Sequence, residues 1–158
     1  MTISPDQLRA AMSTYPTGVT VVTTSPDGFP AFGMTVNSFT SLSLEPPLIM
    51  WNLQKSSDTL KAWKMSESFA VNFLRDDQAE LSNRFAIPDQ HQLQQDEAIP
   101  GKSGCPVLAK CLATLECRIH ARHEAGDHII IIGEVLAITV DNKATPLVYV
   151  NNEYTKPK

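Results

Sequence analysis

The chain has 158 residues, 42% hydrophobic and 19% charged, with a net charge of −4. That length and balance fit one soluble globular domain, residues 1–158, able to bury a core without staples. The negative balance excludes a nucleic-acid backbone as main partner, and no apolar run approaches the ~20 residues of a membrane helix.

The first residues, MTISPDQLRA, have no basic start and no apolar core of a leader, so the expected location is cytoplasmic. Ser4-Pro5-Asp6-Gln7 reads as a helix start, with Ser as cap, Pro at the first position and Gln three residues on. Leu8, Ala11, Met12 and Tyr15 recur at helical spacing and predict an amphipathic helix packed on a barrel, ended by Pro16. Gly18 to Thr24 is rich in β-branched residues and predicts a strand. Pro26 to Phe29 is a turn, and Pro30 to Val36 pairs back.

Gly33 to Asn52 is the stretch around which the chain is organised. Phe39 to Leu44 alternates apolar and hydroxyl residues, Glu45-Pro46-Pro47 turns, and Leu48 to Trp51 is a second strand. Thr35, Asn37, Ser38, Thr40, Ser41, Ser43 and Asn52 are more polar groups than a plain core strand can use. A flat polar ligand can use them. Ser57 to about Met65 predicts a second helix capped by Ser56 or Ser57, with Leu60 and Trp63 inward and Lys61 and Lys64 outward. Such a helix start, with Lys55 beside it, holds a phosphate or merely caps itself; the residues leave both open.

Phe69 to Leu74 is a strand, and Asp77 with Glu80 predicts a capped third helix burying Leu81 and Phe85. Ile87 to Cys105 reads as a polar linker, functional or mobile. Val107 to about Ala121 and His128 to Val140 are long strands around the turn Ala125-Gly126-Asp127; Pro146 to Val150 is the last strand, before a polar tail. About seven strands joined by tight turns, with three short helices, predict a mainly β protein, an antiparallel barrel with helices laid on it.

No G-x-G-x-x-G follows a strand, and there is no P-loop and no G-x-S-x-G. Three cysteines form no C-x-x-C, and alternation places Cys111 and Cys117 on a buried strand face as small hydrophobes. The four histidines lack zinc spacing, so no metal site is expected. Either the protein is not an enzyme, or a cofactor carries the chemistry.

Several separated motifs bear on that choice: Pro16-Thr17-Gly18-Val19, Gly33 to Ser41, Pro46-Pro47-Leu48, Ser56 with Thr59, Phe69 to Asn72, Phe85-Ala86, Gly126-Asp127-His128 and Gly133-Glu134-Val135. With them the chain resembles, from about Leu8 to Tyr154, the flavin reductase-like family of FMN-binding split barrels, the small reductase components of two-component flavin monooxygenases. The resemblance implies a Greek-key split β-barrel and an NAD(P)H:flavin oxidoreductase that reduces FMN or FAD with NADH or NADPH. It implies that Thr35, Val36, Asn37, Ser38, Phe39 and Thr40 line the flavin ring. Asn52, Lys55, Ser56 and Thr59 then contact the phosphate and ribityl chain, and Arg84, Phe85 and Ala86 close over the other end. His128 stands near the nicotinamide as the catalytic candidate, the bland reading being a strand-end histidine satisfied by Asp127. Asn72 and Gln78 are expected to be structural amides, and Trp51 and Trp63 packing. A homodimer and a separate monooxygenase partner are also implied. Two segments depart from the family pattern, Asp89 to Ile99 and Val150 to Tyr154, so flavin binding is better supported than the choice of reductant. The alternative is a flavin-binding electron-transfer protein without NAD(P)H turnover. A barrel that has lost flavin and serves in assembly fits the hydroxyl-rich stretch poorly.

Overall fold

The computed structural model describes residues 2–141 and 143–157; residues 1 and 158, the bounds of the expected domain, lie outside that range. In chain order the described elements are α1 (Pro5–Ser13), β1 (Thr17–Gly18), β2 (Thr20–Thr24), β3 (Phe32–Val36), β4 (Thr40–Leu44), β5 (Pro47–Gln54), α2 (Leu60–Met65), β6 (Ser68–Phe73), α3 (Ala79–Phe85), β7 (Ala98–Pro100), β8 (Pro106–Leu108), β9 (Ala113–Ala125), β10 (His128–Val140), β11 (Val148–Val150) and β12 (Glu153–Thr155). Seven strands form one antiparallel sheet in the order β3-β2-β6-β9-β10-β5-β4. Small sheets β1-β11-β12 and β7-β8 flank it. The chain is therefore mainly β and antiparallel, with short helices around the sheet.

The core grows from strand alternation. β5 sends Ile49, Trp51 and Leu53 inward, and β10 sends Ile129 and Ile131 to the same interior. Trp51, Trp63 and Phe69 meet edge to face there, with the Trp51 and Trp63 rings 4.7 Å apart. Both tryptophans are fully buried, as expected of packing residues. Gly133 makes room for this cluster: a Cβ there would lie 2.5 Å from the Phe69 ring. A second apolar cluster gathers Val21, Leu74, Phe85, Leu108 and Leu147.

Asn72 ties β6 to β2 and to β8 of the small neighbouring sheet. Its amide donates to the Val21 carbonyl (2.9 Å) and to the Thr23 hydroxyl (3.0 Å), and its oxygen accepts from the Leu108 N–H (2.9 Å). Gln78 accepts from the Arg75 N–H (2.9 Å), so both amides serve structure as expected.

Several expectations change. The Ser4–Gln7 capping box forms, but Leu8, Met12 and Tyr15 are exposed, so α1 does not pack its apolar face on the sheet. Helical spacing reveals that a face is apolar, not what covers it. β4 likewise leaves Leu42 and Leu44 exposed, because it is the sheet's edge. α2 starts at Leu60 rather than Ser57: the Ser57 hydroxyl accepts from the Thr59 N–H (3.3 Å) and meets the Thr59 hydroxyl (2.8 Å), holding a turn instead of a helical cap. α3 starts after Gln78, because Asp77 pairs with Arg75 (3.0 Å) instead of capping. The Gly18–Thr24 strand is two strands in different sheets, and the tail beyond Val150 supplies β12.

The stretch 87–105 is not a bare linker. It contains β7, and its residues 91–93 lie along the free edge of β3: the Gly33 N–H donates to the His91 carbonyl (2.8 Å) and the Leu93 N–H to the Ala31 carbonyl (3.0 Å). The predicted strand from Val107 breaks at Leu108 and resumes at Ala113. Cys117 is core as expected, whereas Cys111 lies half-buried outside any strand. Burial pushes both thiols up to about 12. Alternation also missed Glu116, buried because its carboxylate accepts from the N–H groups of Lys102 (3.0 Å) and Ser103 (2.6 Å).

Candidate functional site

The faces of β5 and β10 that turn away from the core bound a cavity of about 820 Å³. The same alternation that buries Ile49, Trp51 and Leu53 presents Met50, Asn52 and Gln54 to it. Antiparallel register sets Ile130 beside Asn52 and His128 beside Gln54, so all four share one wall. Met34 to Ser38, at the end of β3, form a second wall. The Asn52 N–H donates to the Ser38 hydroxyl (3.0 Å) and joins the two. Phe85, Ala86, Pro88 and His91 close a third side, and the Ser56-Ser57-Asp58 turn rims the fourth.

The composition of these walls is uneven. Met34, Val36, Met50, Phe85 and Ile130 make apolar surface, while Asn37, Ser38, Asn52, Ser56 and Ser57 supply amides and hydroxyls. Cavities of this size and mixture suit organic ligands with a flat apolar body and a few polar groups. Among the described residues, five buried side-chain polar atoms lack a hydrogen-bond partner, and only Asn52 Oδ1 belongs to a residue lining this cavity. A buried acceptor left open beside a cavity fits a ligand donor.

Nine of the expected residues come together here: Thr35, Val36, Asn37, Ser38, Asn52, Ser56, Phe85, Ala86 and His128. Five line other places. Phe39 packs its ring on Phe73, 5.0 Å away, beside a smaller neighbouring cavity. Thr40 is exposed on β4. The Lys55 ammonium is taken by Glu124 (3.0 Å) and the Gly126 carbonyl (2.9 Å), which holds the Glu124 carboxyl below its usual range. Thr59 stands behind the rim, its hydroxyl on Ser57 and near the Met34 sulfur (3.7 Å). Arg84 turns to Glu97 and to the Gln92 carbonyl (3.3 Å), beside a third cavity.

The His128 ring accepts neither reading alone. Its Nδ1 lies 2.8 Å from Asp127, so that nitrogen donates, and the hydrogen bond holds the exposed Asp127 carboxyl low. Nε2 is then the nitrogen left for other partners, on a side chain that also lines the cavity. Sequence reasoning missed Met34, Met50, Gln54, Asp58, His91 and Ile130. For Met50, Gln54 and Ile130 the signal was partial: period-two alternation sets them opposite the core residues of β5 and β10 only once the fold shows which face is core. His91 and Asp58 had none, since they meet only through the fold, with His91 Nε2 3.1 Å from Asp58 Oδ1.

Comparison with known proteins agrees with the fold. A family profile described as “Flavin reductase like domain” matches residues 12–158. The chain is 47% identical to “FMN reductase (NADH) SmoA” of Agrobacterium fabrum, over 81% of this chain and 72% of that protein. It is 33% identical to “Flavin-dependent monooxygenase, reductase subunit HsaB” of Rhodococcus jostii, over 97% of this chain and 78% of the relative. The solved structure of the NADH:FAD oxidoreductase SgcE6 of Streptomyces globisporus, in complex with NAD and FAD fragments, superposes with a TM-score of 0.90 at 33% identity, covering 100% of this chain and 97% of that one. The chain belongs to the flavin reductase-like family and has its split-barrel fold.

Proposed function

We propose that the cavity takes a flavin nucleotide and that the chain is an NAD(P)H:flavin oxidoreductase, FMN or FAD receiving a hydride from NADH or NADPH. The single observation that carries this reading is the open Asn52 Oδ1 on a wall that is apolar towards Met50 and Ile130 and hydroxyl-rich towards Ser56. A bound flavin supplies the hydride-accepting ring; the residues bind and orient. In the proposal Thr35 to Ser38 border the ring, Asn52 accepts from it or from the ribityl hydroxyls, and Ser56 donates to the phosphate. Phe85 and Ala86 close the far side and exclude water. Direct hydride transfer needs proximity and orientation rather than an acid or base, and binding walls of this kind supply them. His128, fixed by Asp127, would offer Nε2 to the nicotinamide carboxamide. Phe39, Thr40, Lys55, Thr59 and Arg84 are then supporting residues, not ligand contacts.

The proposal extends to one domain over residues 1–158, since β2 contributes Val22 to one apolar cluster and Val21 to the other. It extends to a homodimer, supported by the unpartnered apolar side chains of α1, β4 and the outer half of β10. It includes a separate flavin-dependent monooxygenase as consumer of the product, as the name of the HsaB relative describes for that protein. The cytoplasm, where reduced nicotinamide is replenished, is the proposed location.

The test mixes purified protein with NADH or NADPH and an excess of FMN or FAD, and follows the absorbance of reduced nicotinamide. Loss over many turnovers is expected, and the four combinations identify both preferences. Flavin retained without turnover would replace this reading with the electron-transfer one.

A further inference from the structure

His91 is 8% exposed, on the strap that runs along β3, and its ring is held from both ends. Nδ1 lies 3.2 Å from the Gly33 carbonyl, and Nε2 lies 3.1 Å from Asp58 Oδ1. A carbonyl only accepts, and so does a carboxylate. A doubly protonated ring can donate to both at once, whereas a neutral ring can donate to only one of them. Asp58 is suited to the opposite role. Burial pushes its carboxyl up, but the Asp89 N–H (2.8 Å) and His91 outweigh that and hold it below the usual carboxylate range.

The strap brings Asp89 to the pair, its N–H on Asp58 (2.8 Å). Asp58 faces His91 from the turn before α2. On the α3 side Arg84 is committed to Glu97, and β3 offers only the Gly33 carbonyl. Asp58 itself is on the cavity rim, next to Ser56 and Ser57. An unpaired carboxylate there would repel an anion, whereas a carboxylate matched by an imidazolium does not.

We propose that His91 and Asp58 form a charge pair that sets the affinity of the cavity for the phosphate group of its nucleotide ligand, with His91 a positioning residue acting through Asp58. The inference rests on the flavin-nucleotide reading. With His91 protonated, Asp58 is neutralised and the phosphate is accepted beside Ser56. When His91 loses its proton, one of its two contacts becomes acceptor against acceptor and the rim gains a bare negative charge.

The test compares FMN with riboflavin, which has the same ring and no phosphate. Both are titrated on wild type, Asp58→Asn and His91→Gln between roughly pH 5.5 and 8.5, the range in which histidine changes charge. In wild type the FMN affinity should fall about tenfold relative to riboflavin as pH rises. In Asp58→Asn that fall should be much smaller, and what remains measures the ionisation of the FMN phosphate itself. In His91→Gln it should be low already at the acid end. A level ratio in wild type, or the same fall in Asp58→Asn, overturns the proposal. Nitrogen NMR of the ligand-free protein gives an independent readout: both His91 nitrogens should carry protons at the acid end, and a neutral ring there overturns the pair. Failure of both FMN and riboflavin to bind wild type removes the flavin reading and the phosphate effect with it, while the imidazole nitrogens still report on the pair.

Discussion

Ser56 and Thr59 divide one task between them. Ser56 is on the cavity rim, while Thr59 holds Ser57 from behind. Replacing both with Ala should weaken FMN binding about tenfold, the worth of a hydrogen bond to a charged group, without unfolding the protein. Unchanged affinity by fluorescence titration would remove the phosphate from this rim. His128→Ala should lower the rate of hydride transfer more than the affinity for flavin; a normal rate with NADH in stopped flow would remove His128 from the reaction. The thiols of Cys111 and Cys117, pushed up to about 12, hold almost no thiolate near neutral pH. Iodoacetamide should therefore label them far more slowly in native than in urea-unfolded protein, as mass spectrometry of the peptides can follow. At this scale the hydroxyl-rich run from Thr35 to Ser38 and Asn52 was legible, because so many polar groups in a strand need a reason. His91 and Asp58 were not, being 33 positions apart and joined only through space.

Elements were legible where a local pattern decides them. β5 and β10 were legible as strands from their apolar runs, but which face meets the cavity was not, because Ile129 to Ile132 are apolar on both faces. Helix starts were read less well. A hydroxyl or carboxylate at cap spacing has competing partners, and at Asp77 the competitor was Arg75, two residues away. The amide of Asn72 joins β6 to β2 and to β8 through fully buried hydrogen bonds. Asn72→Ala should cost roughly 2–3 kcal/mol, since it strands the Leu108 N–H in the interior and removes the amide from Val21 and Thr23. Urea unfolding measures this, and a loss within ~0.5 kcal/mol would show that water replaces the amide there.

For the whole molecule, the apolar surface left on α1, β4 and β10 is the main unexplained quantity in one chain. Leu44 is 95% exposed on an edge strand, where a bare row of backbone groups also invites pairing. Light scattering should give twice the chain mass, and the double variant Leu44→Asp, Ile138→Asp should shift it towards one chain. An unshifted mass would move the contact to α1. The sequence pattern could not resolve this, because hydrophobic periodicity is silent on whether the cover comes from the same chain.

The register of β5 on β10 has a further consequence. Asn52 pairs with Ile130 and Gln54 with His128, so two strands nearly 80 residues apart in the chain must align before one wall of the cavity exists. A slip of one residue in either strand would turn its two wall side chains to the opposite face. Ligand capture is thus a proofreading signal for folding: a refolded sample that regains binding has passed a checkpoint that backbone spectroscopy cannot score, and a library of core variants can be sorted by it.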